Sequence, residues 1–205
     1  MAEDLDLAAL LCSRICHDLI SPVGAVGNGL ELMEPARPDE MEVRDLLADS
    51  ARTALAALEF FRLAFGAAHG GSGPLGGQEV QSIARGFIHG GRRTLEWPAP
   101  PQSMPRAAAK LLLLMLLTAS GAAQLGGVLT VEHATTDPLR LIVTAEGRRV
   151  TLSEDARAII AGANAPADLA ARDAHLAALA RHARSIGATL GCEIAPERIR
   201  LTAAA

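Results

Sequence analysis

Residues Leu5 to Met33, LDLAALLCSRICHDLISPVGAVGNGLELM, decide how this chain folds. Apolar residues recur at Leu5, Ala8, Leu11, Cys12, Ile15, Leu19, Val23, Val26, Leu30 and Met33, in steps of three and four, which predicts an amphipathic helix with one buried stripe. Glu34-Pro35-Ala36-Arg37-Pro38 stops that helix, and Asp39 is placed to cap a second whose stripe reads Leu47, Ala51, Ala54, Leu55, Leu58, Phe61 and Phe65. Two long helices across a short Pro-rich turn form an antiparallel hairpin, expected over residues 1–68. A lone hairpin leaves an apolar face uncovered on both arms. A second copy packed by two-fold symmetry covers it as a four-helix bundle, so a homodimer is expected.

The composition of the 205 residues agrees with close helix packing: half are hydrophobic, yet only 2% are aromatic, so the core is built from Leu, Ala, Val and Ile. Few aromatic rings and a net charge of -4 argue against a nucleic-acid partner, which needs stacking platforms and a basic footprint. Three cysteines, Cys12, Cys16 and Cys192, cannot complete a disulfide framework, and Ala2-Glu3-Asp4 is acidic where a signal peptide is basic; a reducing cytoplasm is expected. Leu111 to Val131 carries no formal charge, but Thr118, Ser120, Gln124 and Gly126-Gly127 break up its second half, which predicts a buried helix, a turn and a strand, with no membrane span.

Gly66 to Gly77 contains six Gly, one Pro and one Ser, a composition for hinges, and a linker is placed at 69–78. From residue 79 to 205 the pattern becomes mixed. Helices are expected at 79–88, 105–123, from Ser153, and at 168–186; strands are expected at 94–97, 127–133, 139–144, 149–152, 191–195 and 198–203. Helices over one face of a mainly antiparallel sheet give a two-layer α+β domain.

Within the first helix, the run Ser13-Arg14-Ile15-Cys16-His17-Asp18-Leu19-Ile20-Ser21-Pro22 carries the candidate chemistry. At about 100° per residue, His17 falls opposite the apolar stripe and shares its face with Ser13, Ser21, Gly24 and Asn28, so its imidazole is expected in solvent. An exposed histidine is ordinarily decoration. Here, however, His17-Asp18 with Pro22 five places on resembles the H-box of two-component histidine kinases. More narrowly, SRICHDLISPVGAVGNGLELM, Ser13 to Met33, is similar to the start of the ChpT-type histidine phosphotransferase family.

That resemblance extends over nearly the whole chain and implies a dimerising hairpin followed by a degenerate domain resembling a histidine kinase ATPase domain. The residues at its nucleotide positions depart from the kinase pattern. Kinases hold Mg-ATP with an Asn-rich helix, whereas the corresponding run Lys110 to Ala119 has neither Asn nor an acidic residue. Where kinases carry Asp-x-Gly-x-Gly, this chain has Ala145-Glu146-Gly147-Arg148-Arg149, and Asn164-Ala165-Pro166-Ala167-Asp168 replaces a Gly-rich phosphate loop. No cofactor of its own is therefore expected.

The resemblance implies a relay: His17 takes a phosphoryl group from an aspartyl phosphate on the receiver domain of a CckA-like hybrid histidine kinase, then passes it to CtrA-like and CpdR-like response regulators. A neutral imidazole is nucleophilic near pH 7, since it titrates at about 6.5 when unperturbed. The partner receivers supply the Mg2+ and the cationic side chain. Asp18 either orients the imidazole or is a solvated helix charge. Arg14 either meets the incoming receiver or its phosphate, or is surface charge. Ser13, Arg14, Ser21, Gly24 and Asn28 are the expected receiver-docking residues. A divergent ATP-dependent kinase and a dimeric scaffold that docks receivers without transfer are the alternatives.

Cys12, Cys16 and His17 spell C-x-x-x-C-H, one residue longer than a haem-attachment spacing; both thiols lie on the apolar stripe and are expected to be buried. His175 and His182 share a helix face, but without a third ligand they are expected to be surface or interdomain residues, not a metal site.

Overall fold

The computed structural model describes residues 2–33, 40–66, 73–89 and 92–205. Helices α1 (Ala2–Leu32) and α2 (Glu40–Phe65) run antiparallel. Near the turn end, a Cβ on Gly29 would stand 2.7 Å from Leu47 Cδ2, while at the other end Leu7 and Leu11 share a cleft with Phe65. Glycine at position 29 thus lets the two helices approach. Helix α1 continues through Pro22, which removes one backbone donor without ending it. The expected stop at 34–38 and cap at Asp39 lie outside the described residues, as do residues 67–72 of the Gly-rich segment.

The remainder of the chain is β1 (Leu75–Gly76), α3 (Gly77–Ile88), β2 (Arg93–Glu96), β3 (Ser103–Met104), α4 (Arg106–Ala122), β4 (Gly127–Thr136), β5 (Leu139–Glu146), α5 (Glu154–Ile160), a 3-10 turn at Ala171–Asp173, α6 (Ala174–Ser185), β6 (Thr189–Ala195) and β7 (Arg198–Ala204). Five strands form one sheet in the order β2-β4-β5-β7-β6, parallel only between β2 and β4; β1 and β3 pair separately. The class is α+β. Alternation sorts the sheet faces: Leu129, Val131, Leu141, Val143, Ala145, Ile199 and Leu201 turn into the core. On the other face Arg198 meets Glu132 and Glu146, and Arg200 meets Glu132 and Glu193, opposite charges placed side by side across strands. Entry into β4 needs Gly126 at φ +95, where a Cβ would come within 2.4 Å of the Arg92 carbonyl oxygen.

Three expectations differ, the first being the linker placed at 69–78, which already carries β1 and the start of α3, with Leu75 and Gly77 buried. The 149–152 strand reduces to one bridge between Val150 and Ala123, and the helix expected from Asp168 begins at Ala174. The chain is still turning after Pro166, whose carbonyl accepts from the Leu169 N–H. The charge-free run from Leu111 folds as expected into α4, a turn and β4, with Leu111 to Met115 sealed in the core. By length and composition alone Asp6–Leu32 is apolar enough to cross a membrane, but here it packs on α2 and α6.

A single hydrophobic core unites the hairpin with the sheet. Phe60, Phe61 and Ala64 of α2 are buried in it, and Phe60 stacks on Phe87 of α3 with ring centroids 4.1 Å apart. From α4, Lys110 donates to the Gly66 carbonyl at 2.7 Å, satisfying an oxygen just beyond the end of α2. The boundary near residue 68 therefore separates elements that share one interior. Phe60→Ala should cost about 3–5 kcal/mol in chemical denaturation, with both the hairpin and the sheet reporting one weakened transition.

Candidate phosphoacceptor site

Helix α1 presents three faces. One, with Arg14, Ile15, Asp18 and Leu19, packs inward. A second, with Cys12, Cys16, Ile20, Val23 and Leu30, is exposed although apolar. The two cysteines are thus not the buried thiols expected: at about 100° per residue they stand off the core-facing stripe, on a second apolar stripe that this chain alone does not cover. The third face carries Ser13, His17, Ser21, Gly24 and Asn28, all exposed, and neither Gly24 nor Gly27 has a neighbour where a Cβ would stand.

The side chain of His17 is 85% exposed. Its Nδ1 lies 3.1 Å from Asp18 Oδ1, so the Nδ1–H donates to the carboxylate and the Nε2 lone pair faces solvent. An exposed imidazole with one nitrogen engaged by a carboxylate is a nucleophile of fixed tautomer.

Arg14, expected on the docking surface, is turned away from it: its side chain is only 14% exposed, because position 14 falls between α1 and α6. Its Nε lies 3.5 Å from Asp18 Oδ2, an ion pair without hydrogen-bond geometry, and its Nη1 donates to His175 Nδ1 at 3.0 Å. Burial lowers the Arg14 pKa, against the pull of Asp18 and Asp173. His175, read as a surface or interdomain residue, is buried between the hairpin and α6. Burial first, then the Arg14 charge, bring its pKa to about 3. Its Nδ1 also lies 3.2 Å from the Arg172 carbonyl. Since a guanidinium only donates, the Arg14 bond requires a neutral ring with a bare Nδ1. His182 is buried too, and its Nε2–H donates to the Ala107 carbonyl at 2.8 Å. No sequence signal marks the Arg14–His175 pair, which spans 161 positions.

Beneath Asp18 a cleft of about 230 Å³ is lined by Arg14, Phe87, Arg93, Leu117 and Ser120. That is small against the roughly 300–1,000 Å³ of small-molecule sites. Helix α4 offers only Arg106, Lys110, Thr118 and Ser120 as polar side chains; Lys110 is engaged at the end of α2, and the Thr118 hydroxyl donates to Leu114. Glu146 is paired with Arg198. Among the described residues no group of three His, Cys, Asp or Glu is placed to hold a metal.

Residues 77–198 match the family described as histidine phosphotransferase C-terminal domain. The chain is 45% identical over 146 residues to the protein phosphotransferase ChpT of Brucella abortus (strain 2308), covering 70% of this chain and 69% of that protein. A solved bacterial phosphotransferase superposes with a TM-score of 0.80 at 35% identity, over 97% of this chain and 96% of the other.

The neutral His175 has a pH consequence. The folded ring stays unprotonated down to about pH 3 while an unfolded one takes up its proton near 6.5, so within that window the unfolded state binds more protons and stability falls as pH falls. The thermal midpoint should drop steadily from pH 7 to pH 4. His175→Asn, which does not titrate there, should flatten the slope; an unchanged slope would show that position 175 carries none of it.

Proposed function

Because the chain belongs to the histidine phosphotransferase family and is a phosphotransferase of a phosphorelay, we propose that His17 is its phosphoacceptor. The exposed Nε2 beside an Asp18-bound Nδ1–H carries this reading. The Nε2 lone pair forms the N–P bond as the acyl P–O bond of a receiver's aspartyl phosphate breaks and the receiver's carboxylate leaves with the electron pair. Positive charge gathers on the ring, and Asp18 stabilises it through Nδ1–H. Transfer onward reverses these changes on a second receiver. The donor is the receiver domain of a CckA-like hybrid kinase, and CtrA-like and CpdR-like regulators are the acceptors. The receivers bring the Mg2+ and the cationic side chain that an in-line displacement needs, because the groups on α4 suit neither metal nor nucleotide.

Receivers dock on Ser13, Ser21, Gly24 and Asn28, whose small exposed side chains leave His17 approachable. Two copies pair through the exposed apolar stripes of the hairpin, where Ile20 is 72% and Leu55 61% exposed. The dimer works in the cytoplasm, where the three unbridged cysteines stay reduced.

Mixing with a phosphorylated receiver should place one acid-labile, base-stable phosphate on position 17, detected by mass spectrometry. Labelled Mg-ATP alone should leave the chain unlabelled, and His17→Ala should keep receiver docking while abolishing transfer. Retained transfer would remove His17 from its role. Val23→Asp combined with Leu55→Asp should halve the mass in sedimentation equilibrium; an unchanged mass would place the dimer elsewhere.

A further inference from the structure

The buried Arg14–His175 pair has no evident use in a merely structural account. Uncharged apolar side chains would join α1 to α6 without desolvating a guanidinium, and removing one partner of a buried polar pair is costly. The pair instead ends at the reaction centre. From α6, His175 receives an N–H of Arg14; Arg14 faces Asp18 Oδ2; Asp18 Oδ1 holds His17 Nδ1. Asp18 is 28% exposed in its side chain, and its two oxygens divide between the largely buried Arg14 cation and the exposed ring.

We propose that Arg14 and His175 are positioning residues for phosphotransfer: His175 aims the Arg14 guanidinium, the guanidinium fixes one oxygen of Asp18, and the other oxygen thereby holds His17 in the tautomer that leaves Nε2 free to attack. The inference rests on the reading of His17 as the phosphoacceptor. It follows from the geometry that the C-terminal half contributes to catalysis without touching the substrate: α6 holds the carboxylate that orients the ring. Asp173, at the N-terminus of α6, adds its field to that of Asp18 on the guanidinium. A neutral His175 with its proton on Nε2 supplies the required acceptor, whereas a ring carrying Nδ1–H would donate to the Arg172 carbonyl and lose the Arg14 bond. The partial exposure of Asp18 makes such a hold necessary, since without Arg14 its carboxylate can turn to solvent and release the imidazole to either tautomer.

The test uses the full-length protein and two phosphodonors, a phosphorylated receiver domain and potassium phosphoramidate, which reaches His17 without docking. Nitrogen-15 NMR reports the His17 tautomer, and phosphorus-31 NMR reports which nitrogen carries phosphate. Wild type should show the Nδ1–H tautomer and phosphate on Nε2. Arg14→Met and His175→Leu should slow transfer from both donors about ten-fold or more and shift the His17 tautomer. His175→Asn should restore both, because its Oδ1 reaches where Nδ1 stood and accepts from Arg14. Adding Arg14→Met to Asp18→Asn should cost nothing further, since the two act through one carboxylate.

Variants that keep both wild-type rate and tautomer would overturn the proposal, and so would slowed transfer with an unchanged tautomer. If His175→Leu fails to fold, Arg14→Met and the double variant decide. A wild-type protein phosphorylated elsewhere than position 17 would instead sink the phosphoacceptor reading itself. Phosphate on position 17 with indifferent variants sinks only the positioning role.

Discussion

The burial of the last turns of α2 in the interior of the sheet domain is the constraint on which the molecule depends. Phe60 has no solvent exposure and stacks on α3, and Ala64 lies as deep. A helix anchored at that end and capped by Lys110 from α4 has a fixed direction, and α1, packed along it, inherits that direction. The imidazole on α1 is then presented at a set distance from the second half of the chain. In a rod joined by a loose hinge, no contact between α1 and α6 could persist, and Arg14 would have nothing to bind.

The second half keeps the sheet and helices of its class while its polar groups are spent on holding the structure. Lys110 serves the end of α2, Thr118 bonds within its own helix, Glu146 balances Arg198, and His182 satisfies a carbonyl of α4. Each such group is taken up by a neighbour within the chain. A domain with these side chains tied into its own interior offers a packed surface against which α1 can rest.

Much of this was legible in the chain because helix faces repeat at a fixed angle. The spacing of Ile15, Leu19 and Val26 located the inward face of α1, and the offset of His17 from them placed the ring in solvent. The same reasoning misplaced Cys12 and Cys16 because it assumed one apolar stripe, whereas α1 has two: one serves the chain's own core, and the other stands bare on the hairpin. Arg14 was read as a docking or surface charge because it stands one turn before His17, but α6 covers it, and its partner there, His175, lies 161 positions away. Contacts of that separation leave no local periodicity. His175 and His182 were read as surface or interdomain residues from their shared helix face; both are buried, and each ring turns to a different partner.

On the proposed reading of His17, the carboxylate beside it bears on the loaded form as well. Once a phosphoryl group occupies Nε2, its negative oxygens share one helical turn with Asp18, and like charges a few ångströms apart in water repel by on the order of 1 kcal/mol. On that reading the one carboxylate both holds the Nδ1–H of the loaded ring and repels the phosphoryl oxygens beyond it, two opposed effects of similar small size.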